Sequence, residues 1–118
     1  MVKRLNFDRL SCKQIQVRAQ GLGGVCRRIM VKTRHQRRMY TDSRSHLVGC
    51  VSGARAAVRA CEGKPDPAYG RAPHTSSERQ RLARIALNWT QVAFHAAQDG
   101  ICKGSIHGER AFGRREYC

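Results

Sequence analysis

The chain has 118 residues, with 23 Lys+Arg against 8 Asp+Glu and a formal net charge of +15. That length suits one domain with a modest core, and a 41% hydrophobic share is enough to build it. No run approaches the ~20 apolar residues of a membrane span, and Asn6, Asp8 and Arg9 interrupt the stretch from Leu5 to Leu10, so neither a membrane protein nor a secreted one is expected.

Residues 3–13 are ambiguous, with Asn6 placed to cap a short helix that turns Leu10 inward. From Gln14 the chain alternates: Ile15, Val17 and Ala19 are apolar between Gln14, Gln16 and Arg18. A period of two predicts a half-buried strand. Gln20-Gly-Leu-Gly-Gly24 supplies turn residues, and Val25 to Thr33 reads as the return strand, with Ile29 and Val31 on one face. The glycines are only superficially like a phosphate-cradling loop, because no Lys-Ser/Thr pair follows them.

Residues 34–45 are polar and basic and read as a loop, and His46 to Val51 reads as a short third strand. Ser52 is placed to cap a helix carrying Ala54, Ala57, Val58 and Cys61, which Gly63 ends and Pro65 stops. Residues 63–74 hold all three prolines and form a linker or an ordered loop.

The strongest helix signal covers residues 76–98. Thr75 precedes Glu78 by three, the capping-box spacing. Leu82, Ile85, Ala86, Trp89, Val92, Ala93 and Ala96 form the apolar stripe, with Trp89 as the expected core anchor and Gly100 as the terminator. The fold expected from these elements is α+β: a small hairpin-based sheet packed by an alanine-rich helix and one long amphipathic helix. A mainly α protein is the alternative. The organisation is a basic hairpin plus helix over 1–62, the proline segment over 63–74, and the long helix with a basic tail over 75–118, together one domain.

Charge carries the functional signal. Eighteen of the basic residues are arginine, whose planar guanidinium grips phosphate bidentately and stacks on bases. Residues 1–61 hold 14 basic and 2 acidic side chains, whereas 62–118 hold 9 and 6. The densest segment contains Arg27, Arg28, Lys32, Arg34, His35, Arg37, Arg38, Tyr40 and Arg44. Arginines beside an aromatic neutralise phosphates and stack on unpaired bases. The expected function is therefore non-catalytic nucleic-acid binding to structured RNA or a ribonucleoprotein. RNA is favoured over DNA, with the cytoplasm, a nucleoid or an organelle matrix as the compartment.

Three other readings stand beside it. Ala96, Gly100, Ile101 and Ile106 are spaced like the turn of a helix-turn-helix DNA-binding regulator, over about a tenth of the chain. A basic adaptor or inhibitor docking on an acidic protein surface would share the charge. A small RNA-cleaving enzyme would use His35, Arg37, Arg38 and Tyr40, but no second catalytic group can be placed beside them and no carboxylate pair is evident.

The six cysteines are Cys12, Cys26, Cys50, Cys61, Cys102 and Cys118, none in a C-x-x-C pair. In a reducing compartment they serve as small buried hydrophobes. The alternative is a metal site combining His46 and Cys50, four apart, with Cys102 and His107, five apart. These spacings are not diagnostic, so no metal or cofactor is expected.

Overall fold

A computed structural model describes residues 10–33, 41–65 and 73–103 of the chain. Among them there are three helices and no strand: α1 (Cys12–Thr33), α2 (Thr41–Cys61) and α3 (Ser76–Lys103). The protein is mainly α, and the expected α+β fold is wrong. Residues 14–33, read as a hairpin, lie within α1, and residues 46–51, read as a strand, lie within α2. Ser52, expected as an N-cap, sits in the middle of α2.

The misreading has a physical origin. Ile15 and Ala19 fit a period of two, but both also belong to a helical series that continues through Leu22, Cys26 and Ile29. Those steps of four and three make one stripe, which is buried apart from the half-buried Leu22. Val17 and Val31, two further β-branched members of the expected strands, point to solvent. The cap was also legible. The Gln14 amide donates to Ser11 Oγ at 3.3 Å, and the Ser11 amide donates to Gln14 Oε1 at 2.9 Å, a reciprocal capping box that starts α1.

In α2 the buried stripe is Leu47, Cys50, Ala54 and Ala57, again in steps of three and four. Gly63 closes this helix at a φ of 73°. Its amide donates to the Ala60 carbonyl at 3.1 Å and the Lys64 amide donates to the Arg59 carbonyl at 2.9 Å, the two bonds of a Schellman cap. The Arg79 guanidinium lies over Gly63, beside the negative end of the helix dipole.

The expected long helix is present and extends through Gly100 to Lys103. Its start is as expected: the Glu78 amide donates to Thr75 Oγ1 at 3.1 Å, while Glu78 Oε2 accepts from the His74 amide at 3.2 Å. Thr75→Ala is expected to cost about 1 kcal/mol, read as a lower midpoint in urea denaturation.

The buried face of α3 is Ala83, Ala86, Leu87, Thr90 and Ala97, rotated from the expected stripe. Trp89 is not the core anchor; it is 63% exposed, and Ile85 and Val92 are exposed with it. The reason is on α2. A Cβ on Gly49 would lie 3.8 Å from Ala93 Cβ, and one on Gly53 would collide with the Thr90 hydroxyl. Small residues on both helices bring the backbones together, and an indole does not fit between them.

These contacts set the topology. Cys61 reaches back to Cys12, and Gly23 faces Ala54, so α1 and α2 are antiparallel. Gly53 faces Thr90, Gly49 faces Ala93 and Ser43 faces Gly100, so α2 and α3 are antiparallel too. Each helix touches the other two. One end of the core holds Ile15, Ala19, Leu87 and the α2 alanines, the other holds Cys26, Ile29, Leu47, Cys50 and Ala97, and Leu22 packs against both.

Candidate nucleic-acid interface and paired thiols

α1 contains five basic residues (Lys13, Arg18, Arg27, Arg28 and Lys32) and no acidic one. All five are exposed. The apolar stripe of α1 faces its partners, so Arg27 and Arg28 are carried on the outward side. α2 adds Arg44 and Arg55, exposed, and Arg59, half-buried, against a single acid, Asp42. Arg27, Arg28, Lys32 and Arg44 thus reach solvent from two neighbouring helices. Arg34, His35, Arg37, Arg38 and Tyr40 lie outside the described residues.

Trp89 is exposed although its sequence pattern pointed inward. It stands one turn before Ala93 and three before Gly100, both of which approach α2. That places the indole on the flank of α3 that borders α2. The register of Gly53 with Thr90 puts it level with the Ser52–Arg55 turn. Arg55 and Trp89 are exposed residues that the sequence reading did not place among the candidate contacts. An exposed indole offers a face on which a base can stack. The available signal was the alanine and glycine content of the opposite faces, which excludes a large side chain between α2 and α3.

The turn of a helix-turn-helix is not formed at Gly100, since Ala96 to Lys103 is continuous helix. Gly100 serves a close approach instead, with Ser43 packed where its side chain would be. In the alternative metal quartet, His46 is exposed while Cys50 is fully buried. The Cys102 side chain and His107 lie outside the described residues. Among the described residues no three His, Cys, Asp or Glu side chains gather to hold a metal.

The cysteines do form an arrangement, in pairs. Cys12, Cys26, Cys50 and Cys61 are free thiols. The Cys50 thiol donates to the Leu22 carbonyl at 3.7 Å, and the Cys61 thiol donates to the Cys12 carbonyl at 3.5 Å. These contacts set Cys61 against Cys12 and Cys50 one turn from Cys26, close enough for each pair to influence its partner's titration. The interaction with Cys50, together with burial, holds the Cys26 thiol well above the ordinary range, and the same interaction lowers Cys50. Burial, with the interaction with Cys12, pushes the Cys61 thiol up to about 12.

No described helix is long and apolar enough to cross a membrane. Compared with known protein families, curated proteins and solved structures, the chain matches none.

Proposed function

We propose that the protein is a non-catalytic nucleic-acid-binding module, contacting structured RNA or a ribonucleoprotein through the outward faces of α1 and α2 and the adjoining edge of α3. Its partner pool would be the nucleic acids of the cytoplasm, a nucleoid or an organelle matrix. One observation carries this reading: α1 exposes Lys13, Arg18, Arg27 and Arg28 and contains no acidic residue. Such a field repels itself in the folded state, and a polyanion relieves that cost. Arg27, Arg28, Lys32 and Arg44 supply phosphate contacts, continued by the arginines and Tyr40 of the 34–40 segment. Trp89 supplies a stacking face for an unpaired base.

The test uses the full chain and a labelled RNA hairpin with an unpaired loop. About 5 phosphate contacts weaken binding about 10²- to 10³-fold between 50 and 200 mM salt. Affinity that stays level over that range removes the reading. Replacing Arg27 and Arg28 together by alanine is expected to lower the salt slope by about 2. Retention of the chain on an acidic protein after nuclease treatment, without affinity for the hairpin, would favour an adaptor instead.

Trp89 is the chain's single tryptophan, so its fluorescence reports stacking directly. Quenching is expected on addition of the hairpin. Trp89→Ala is expected to weaken binding about ten-fold or more while leaving the thermal midpoint within about 3 °C. A variant that unfolds, or that binds as tightly as the parent, would remove Trp89 from the interface.

A further inference from the structure

We propose that the α1–α2 hairpin is a double thiol–disulfide site, in which Cys12 pairs with Cys61 and Cys26 with Cys50 on reaction with a small-molecule disulfide. Unlike the nucleic-acid reading, this rests on the hairpin alone. Two independent rungs point the same way. At the open end, the Cys61 thiol lies against the peptide of Cys12, the first residue of α1. Deeper in, the Cys50 thiol reaches the Leu22 carbonyl, one turn before Cys26. In an α-helix that carbonyl is the one toward which the Cys26 amide points, so the Cys50 sulfur is held at the Cys26 turn. The two cysteines of α1 are 14 residues apart and those of α2 are 11 apart, four turns and three. The two spacings differ by about one turn, so antiparallel helices bring both pairs to within about a turn of level, and the close approach of Gly23 to Ala54 lies between the rungs.

Cysteines used only as small apolar fillers would be scattered through the core. Here both α2 cysteines set their sulfur against the α1 backbone, Cys61 at Cys12 itself and Cys50 one turn from Cys26. Cys12 and Cys61 are half-buried and meet the reagent first, whereas Cys26 and Cys50 are fully buried and react through local opening. In the outer pair, the Cys12 thiolate attacks one sulfur of the reagent disulfide, forming a mixed disulfide and releasing one reagent thiolate. The Cys61 thiolate then attacks the Cys12 sulfur and releases the second. Two protein thiols and one reagent disulfide become one protein disulfide and two reagent thiols, each taking up one of the protons lost. The inner pair follows the same course, with Cys50 as the attacking sulfur.

The reagent for the test is glutathione, oxidised or reduced, added to the folded full chain. Trypsin separates all four cysteines, into segments 10–13, 19–27, 45–55 and 60–71. After oxidised glutathione, the unreduced digest is expected to show 10–13 linked to 60–71 and 19–27 linked to 45–55. The thermal midpoint is expected to rise by about 10 °C or more over the reduced chain. Cys50→Ala should lose the inner link and keep the outer one. If that variant does not fold, Cys12→Ser at the half-buried rung should lose the outer link and keep the inner. Absence of either link from the parent digest, scrambled links, or links between chains would overturn the assignment.

Discussion

Replacing Leu87 by alanine is expected to destabilise the protein by about 3 kcal/mol, within the range for large-to-small changes at fully buried sites. The thermal midpoint should fall by about 15 °C. Leu87 is completely buried and shares its cluster with Ala54, Ala56, Ala57, Ala60, Ala83 and Ala86. Alanines have no rotamers with which to fill a neighbouring void, so the cavity would persist. Ile15, Leu47 and Leu87 are the largest fully buried aliphatic side chains among the described residues, and each supplies a large share of the apolar area removed from water. Urea denaturation followed by circular dichroism measures the loss. A cost below about 1 kcal/mol would mean that α3 is rotated so that Leu82, Ile85 and Trp89 face inward.

That contrast shows which parts of the fold were legible. The start of α3 was readable because Thr75 and Glu78 act through local hydrogen bonds that need no tertiary partner. The end of α2 was readable for the same reason: Gly63 adopts a conformation that few other residues tolerate. The face of α3 was not readable from α3 alone. Trp89 is the most apolar-looking anchor in the helix, yet Thr90 beside it is the residue buried, its hydroxyl satisfied by the Ala86 carbonyl at 2.7 Å. What decides between them is the width of the gap to α2, which depends on Gly49 and Gly53 some forty residues away. The strands expected over 14–33 failed similarly. Local β-branching and three nearby glycines favoured a hairpin, and a stripe spanning four turns of helix outweighed both. Of the candidate interface, the density of arginine on α1 was plain from composition. The exposure of Trp89 and the pairing of the cysteines required the register between helices.

The same register leaves Gly53 no room for a side chain. Glycine inside a helix normally costs about 1 kcal/mol relative to alanine, so Gly→Ala should stabilise wherever space allows. Gly21, in α1, has nothing within 4 Å of the added carbon, and Gly21→Ala is expected to raise stability by about 0.5–1 kcal/mol. At Gly53 the added carbon would overlap the Thr90 hydroxyl and lie 3.3 Å from Thr90 Cα. The hydroxyl is held by its bond to Ala86, and the Cα is backbone, so neither yields without moving α2 from α3. Gly53→Ala is therefore expected to destabilise, by about 1–2 kcal/mol, and Gly53→Leu by about 3 kcal/mol or more. Thr90→Ala removes the hydroxyl that is overlapped. The Gly53→Ala/Thr90→Ala pair should thus cost less than the two single changes added together, with a coupling of about 1 kcal/mol. Opposite signs at Gly21 and Gly53 under one denaturation protocol would confirm a close helix contact at Gly53 and open space at Gly21. A stabilising Gly53→Ala would mean that the gap between α2 and α3 is wide enough to admit larger side chains, and the exposure of Trp89 would lose its structural cause.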